Sequence, residues 1–197
     1  DMNNTAPSSF GAYAFARCES LKAIDLEKAT ATSIPAGMFD GCVKLASVKL
    51  PTENLENGTQ RIIITSIGNY AFRDCASLLS KDDESKKATA FDFTKFVAFA
   101  SGDYTKPASF TIGVSAFEGC TGLTEVKFNK IEASGGKYAD YMPERQVRLG
   151  NNAFKDCTGL EKADLSGCTD IEIIKFDYTK DVVTPYTYLG VGNGVFT

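Results

Sequence analysis

Residues 112–128 read IGVSAFEGCTGLTEVKF. Reduced to a skeleton, the stretch is Ile-Gly-x-x-Ala-Phe-x-x-Cys-x-x-Leu-x-x-Val-x-Phe, and the skeleton returns along the chain. It is FGAYAFARCESLKAIDL at 10–26, IPAGMFDGCVKLASVKL at 34–50 and LGNNAFKDCTGLEKADL at 149–165. Residues 67–78, IGNYAFRDCASL, keep the first two-thirds and then depart from it. In such a repeat no unit can bury its apolar side alone, so each completes its neighbour. The expected fold is a solenoid.

The positions of the unit have separate physical tasks. Leu-x-x-Ile/Val-x-Leu/Phe alternates like a short strand with one buried face. Such strands stack in parallel, one per coil. Ala-Phe puts a small and a large apolar residue on the opposite wall, so Phe15, Phe39, Phe72, Phe117 and Phe154 should form one interior file. The Gly three residues before the Ala is expected at a tight turn, where a missing Cβ relieves a steric conflict. Cys18, Cys42, Cys75, Cys120 and Cys157 share one slot and are expected to form a ladder of buried thiols. Equivalent side chains stacked in parallel rarely meet the torsion a disulfide requires, so the thiols should be unpaired.

These units resemble the BspA-like, Treponema-type class of leucine-rich repeats, whose pattern is Ile-Gly-x-x-Ala-Phe-x-x-Cys-x-x-Leu-x-x-Ile-x-Leu. The resemblance covers nearly the whole chain apart from its inserts. It implies a right-handed β/α-type leucine-rich repeat coil with short parallel strands, mostly β and irregular, carrying inserted β-hairpins. It also implies display on a bacterial cell surface and adhesion to host proteins or neighbouring cells.

Bulk properties are compatible with that picture. A hydrophobic fraction of 43% with 23% charged residues is ordinary for a folded soluble domain. The net charge of -4 argues against nucleic acid, which demands a basic face. There is no apolar run long enough to span a bilayer and no signal segment at Asp1. The expected organisation is a polar lead-in at 1–9 and one repeat domain at 10–197, of about five units plus the start of a sixth. The start and finish read either as a terminal cap or as the edge of a longer array, and an exported parent would carry its targeting segment outside this stretch.

The spacing between successive unit phenylalanines is 24 at first and 33 to 45 thereafter. Most of the extra length follows the strand and precedes the next Ile-Gly. Asn57-Gly58, ahead of the β-branched run 62–65, is a hairpin signal because both positions accept positive φ. Residues 96–100 and 108–112 flanking Ser101-Gly102-Asp103 read the same way. Ser134-Gly135-Gly136 offers a third turn, and residues 177–187 a fourth. These hairpins should project from one flank as a ledge. The run KDDESKK at 81–87 reads as a solvated loop or a cation site ahead of a third strand at 90–93. Residues 165–174, with Cys168, read as the leg leading away from the fifth strand.

Chemistry is hard to find in this chain. It contains no His, which removes the usual Ser-His-Asp and Cys-His constellations and the commonest zinc ligand. The cysteines lack close Cys-x-x-Cys pairs. Gly190-Val191-Gly192-Asn193-Gly194 lacks the Lys-Ser/Thr ending of a phosphate loop and reads as a repeat turn. No catalytic residue, metal or cofactor is expected.

Binding is the remaining class. The outward strand positions form columns, the middle one running Asp25, Lys49, Asp92, Lys127, Asp164, with Glu125 and Lys162 beside it. Alternating signs either pair rung to rung or present a polar strip to a protein. On the inserts, Tyr104, Tyr138, Tyr141, Tyr186 and Tyr188 either pack the hairpins or serve as contact residues, a role in which Tyr is enriched. The expected function is adhesion to a matrix or cell-surface protein. A structural spacer and a glycan-binding module are the alternatives.

Overall fold

The computed structural model describes residues 6–54, 60–79, 99–100, 103–107, 110–127, 145–164, 168–177 and 182–187. The first two coils contribute β1 (Ala23–Asp25), β2 (Ser33–Ile34) and β3 (Ser47–Lys49). Next come β4 (Thr52–Asn54), β5 (Gln60–Ile62), β6 (Ser66–Ile67), β7 (Phe99–Ala100) and β8 (Asp103–Pro107). The remainder are β9 (Phe110–Ile112), β10 (Glu125–Lys127), β11 (Arg145–Gly150), β12 (Lys162–Asp164), β13 (Cys168–Asp177) and β14 (Val182–Thr187). Among the described residues there is no helix.

Among the described residues, two sets of parallel strands and a wall of turns form the coil. The first ladder holds the expected strands. β1 pairs with β3 in parallel, Ile24 opposite Val48, and β10 with β12, Val126 opposite Ala163. Val48 and Val126 are buried, while Ala23, Asp25 and Lys49 point outward. The third strand expected at 90–93 lies outside the described residues.

The second ladder is a six-stranded sheet in the order β14-β13-β11-β9-β6-β2. It is built on the first residue of each unit, with Ile34 opposite Ile67, Ile67 opposite Ile112, and Ile112 opposite Leu149. Ile173 continues the row beside Leu149. Residues 165–174 are thus no leg leading away. From Cys168 onward they are strand, parallel to β11, because Ile171 and Ile173 fall into step with Val147 and Leu149.

The third side carries the Ala-Phe segments and forms no helix because its N–H groups serve two directions by turns. Ala71, Arg73 and Cys75 donate back three residues within their own coil. Tyr70, Phe72 and Asp74 donate instead to the carbonyls of Val114, Ala116 and Glu118 on the next coil, at 2.7–2.9 Å. Alternation of this kind needs left-handed backbone twice per coil. It falls at Tyr13, Gly37, Tyr70, Ser115 and Asn152, and again at Arg17, Gly41, Asp74, Gly119 and Asp156, with φ between 51° and 74°. The Gly of Ile-Gly is not among them. A Cβ on Gly68 would lie 2.5 Å from the Ala36 nitrogen, and one on Gly113 2.5 Å from the Asn69 nitrogen. That glycine answers to the close approach of the preceding coil and not, as expected, to a tight turn.

The interior is filled as the repeat predicts. Phe15, Phe39, Phe72, Phe117 and Phe154 stack in one file with ring centroids 5.2–5.6 Å apart and planes within 21° of parallel. Offset stacking is the favoured arrangement for such rings. Phe39, Phe72 and Phe117 have no exposure at all. Phe15, on the first coil, is only half-buried.

Three hairpins are described. β4 and β5 are antiparallel on either side of Asn57-Gly58, and β13 and β14 form the hairpin expected within 177–187. In the second, β7 pairs with β8, not with 108–112. Phe110 and Ile112 are buried in the coil ladder, which leaves residues 103–107 to return the hairpin. The turn expected at Ser134-Gly135-Gly136 and the runs 81–87 and 190–194 lie outside the described residues.

Candidate functional site

On the outward strand face, the register sets Asp25 opposite Lys49 and Lys127 opposite Asp164, the columns expected from the repeat. Lys49 Nζ donates to Asp25 Oδ2 at 2.9 Å, and Glu27 stands 4.0 Å away. Glu125 takes Lys127 Nζ at 2.9 Å on its own strand and Lys162 Nζ at 3.2 Å from the next coil. The Lys49 hydrogen bond holds the Asp25 carboxyl below its ordinary value, with help from the Glu27 N–H. Asp25 in turn raises Lys49. Lys127 first and Lys162 second lower Glu125. These groups are exposed or only part-buried, so the pairs contribute little to stability, and salt weakens them. Asp92 lies outside the described residues.

Of the tyrosines on the inserts, Tyr104 is on β8 and Tyr186 on β14. Tyr138, Tyr141 and Tyr188 lie outside the described residues.

A second charged column, which sequence reasoning missed, runs along the turn wall in the slot after each Phe: Ala16, Asp40, Arg73, Glu118, Lys155. Arg73 Nε and Nη2 donate to the two oxygens of Asp40, each at 2.8 Å. The guanidinium also lies 4.7 Å over the Tyr70 ring. Asp40 is buried, and this bidentate geometry raises the Arg73 pKa. Lys155 reaches Glu118 at 3.2 Å. The available signal was sign alternation in that slot, the same signal that exposed the strand column.

The thiols are not interchangeable. Cys42, Cys75, Cys120 and Cys157 are buried and free, and Cys18 is free but exposed, against expectation, because it stands on the first described coil. Each buried thiol donates to the main-chain oxygen of the unit Phe one coil earlier. Cys42 reaches Phe15 at 3.0 Å, Cys75 reaches Phe39 at 3.2 Å, Cys120 reaches Phe72 at 3.1 Å and Cys157 reaches Phe117 at 3.0 Å. The slot thus calls for a small apolar group with one weak donor, which Cys supplies.

Burial raises all four of these thiols, Cys120 well above its ordinary value and Cys157 to about 12. The thiolate is the nucleophile, so these residues are inert at neutral pH. Native alkylation at pH 8 will therefore modify Cys18 and leave Cys42, Cys75, Cys120 and Cys157 until denaturant is added. Modification of Cys120 as fast as Cys18, or recovery of Cys–Cys linked peptides, would contradict the ladder. The sign for stability follows from linkage. Support from the neutral thiols is complete below the ordinary value of 9.0 and is lost as pH rises toward the 12 of Cys157.

No group of three or more His, Cys, Asp or Glu among the described residues could hold a metal ion. No helix among them is long and apolar enough to cross a membrane.

Stacked parallel strands around a file of phenylalanines and thiols define a repeat solenoid of the leucine-rich class, with turns on its third side. The chain belongs to the BspA type leucine-rich repeat family, whose model matches in 6 copies over residues 3–86, 52–139 and 89–196. It is a family of protein-interaction repeat modules, typically non-catalytic and associated with bacterial surface proteins. No curated protein and no solved structure matches the chain.

Proposed function

We propose that the chain is a non-catalytic adhesion module of a bacterial cell surface, with residues 10–197 acting as one repeat domain. Its ligand is a protein of the host or of a neighbouring cell, met through the strand face and the hairpins beside it. The observation that carries this reading is the parallel register. In the two described strand pairs it sets residues of opposite sign side by side, Asp25 by Lys49 and Lys127 by Asp164, about 4.8 Å apart. Columns of this kind give orientation and on-rate to a protein partner. Asp25, Lys49, Glu125, Lys127, Lys162 and Asp164 form that face, with Asp92 assigned to it by the repeat. Tyr104, Tyr138, Tyr141, Tyr186 and Tyr188 are the aromatic anchors of the hairpin ledge.

The test is capture of the full chain on immobilised matrix proteins and on a glycan array. Reversing Lys49, Lys127 and Lys162 to Glu together should weaken protein capture about tenfold or more and flatten its salt dependence. Undiminished capture would remove the strand face from the reading. The internal pairs, Lys49 with Asp25 and Lys162 with Glu125, favour a second reading, a structural spacer whose outward charges engage one another. Silence on every protein and glycan supports the spacer, and a glycan signal lost on Tyr104→Ala supports sugar binding.

A further inference from the structure

The main-chain bonds of the turn wall all run one way along the stack. N–H groups of the earlier coil donate to carbonyls of the later one, three at each of the four described junctions, at 2.6–2.9 Å. The receiving carbonyls on the second coil are those of Ala36, Met38 and Asp40. Their counterparts on the first coil, Ala12, Ala14 and Ala16, receive no N–H from any described residue. The upstream side of the first coil therefore shows a row of main-chain acceptors.

The other parts of a coil junction stand on the same side. The Cys18 thiol is exposed, in the slot from which the four later thiols each reach a Phe oxygen one coil upstream. Phe10, Phe15, Leu21, Ile24 and Leu26 are only partly buried, whereas Ile34, Phe39, Leu45, Val48 and Leu50 in the same slots are at most 3% exposed. Ala14 is exposed, while Ala71, Ala116 and Ala153 in its slot are completely buried. A Cβ on Gly11 would meet nothing within 4 Å, but on Gly68, Gly113 or Gly150 it would lie 2.4–2.5 Å from a main-chain nitrogen of the coil upstream. Pro35 takes that slot on the second coil. Terminal repeats of a solenoid ordinarily turn a polar face outward. This one turns out the apolar, acceptor-lined face of an interior coil, and residues 1–5, DMNNT, hold a single apolar side chain to set against it.

The polarity of this face sets what fits it. It calls for a row of N–H donors, a ring to stack on Phe15 and a carbonyl for the Cys18 thiol. The downstream side of a unit of this same repeat supplies all three, as the first coil does for the second through its N–H groups, Phe15 ring and Phe15 oxygen. The upstream side of another first coil does not, because carbonyls would meet carbonyls. We infer that the first coil docks on the downstream end of a second copy of this chain, head to tail, so that the stack continues from one molecule into the next. Whichever unit stands last, 149–165 or the one opening VGNGVF at 191–196, its sequence is of the same pattern. A contact of this kind joins two different faces and does not close on itself, so copies add in series. The surface is separate from the strand face and does not depend on the adhesion reading.

Sedimentation velocity of the full chain, from low to high micromolar concentration, reads the association. Dimers, trimers and longer species that grow with concentration support the contact. Ala14→Lys puts a charge into a slot that is buried on every later described coil, and should weaken association about tenfold or more. Gly11→Ala adds the Cβ that the third, fourth and fifth coils exclude, and should weaken it about tenfold. Both positions are exposed on the single chain, so the fold should survive, which circular dichroism at dilution checks. A chain that stays monomeric throughout overturns the inference, and so does association indifferent to both variants. A species that stops at the dimer marks a contact between like faces and overturns the head-to-tail form.

Discussion

Phe117→Ala will destabilise the chain by about 3–5 kcal/mol, read from urea or guanidinium unfolding of the full chain. The ring has no exposure and stacks on both sides, against Phe72 at 5.3 Å and 9° and against Phe154 at 5.3 Å and 4°. Truncation opens a cavity in a wall pinned by main-chain bonds to the coils before and after, so the site cannot collapse. It also removes two ring pairs, each worth roughly 0.5–1.5 kcal/mol beyond burial. In a solenoid, stability is approximately a sum of unit and nearest-neighbour terms. Damage at this central interface should therefore uncouple the coils on either side and broaden the transition as well as shift it. Phe15→Ala is the internal comparison. Phe15 is half-buried and among the described residues stacks on one ring, Phe39 at 5.6 Å, so its loss should be clearly smaller. A cost below about 1 kcal/mol at Phe117 would mean that the file does not hold the coils together.

What the sequence made legible was whatever recurs at a fixed place in every unit. Five phenylalanines in one slot imply one file, and the strand register that sets Asp25 beside Lys49 follows once the units are aligned. The second ladder was not legible. It occupies only two residues per coil at Ile34 and Ile67, too few for alternation to show. The thiol bonds were hidden for another reason. Cys120 and Phe72 are 48 positions apart, and only the stacking distance makes one the donor of the other. The left-handed slots escaped because their occupants, Tyr13, Gly37, Tyr70, Ser115 and Asn152, share no chemistry. The charge column of Asp40, Arg73, Glu118 and Lys155 was readable in principle. For the binding residues the limit is different. Exposure and alternating sign are compatible with self-pairing as well as with a partner, and only an assay against partners separates the two.

The glycine of Ile-Gly shows how one residue type can be required for a reason its local pattern does not reveal. Glycine serves either a left-handed backbone or a close approach, and at Gly113 only the second applies. An added Cβ would lie 2.5 Å from the Asn69 nitrogen and 2.6 Å from the Gly68 carbonyl carbon, both parts of the neighbouring coil's main chain. The same contact is fastened by Gly113 N–H to the Ile67 oxygen at 2.8 Å and by Val114 N–H to Asn69 Oδ1 at 2.9 Å. Gly113→Ala must therefore separate the coils and stretch those bonds, at a cost of about 1–3 kcal/mol by the scale of overpacked cores. Gly11 occupies the identical slot on the first coil, where a Cβ would meet nothing within 4 Å. Its φ is not in the left-handed region, so Gly11→Ala restricts mainly the unfolded chain and should stabilise by about 0.4–1 kcal/mol. Opposite signs from one substitution at two copies of one slot would assign the glycine to coil-to-coil contact. Equal tolerance at both would return it to turn conformation and leave the spacing of the coils without its main-chain explanation.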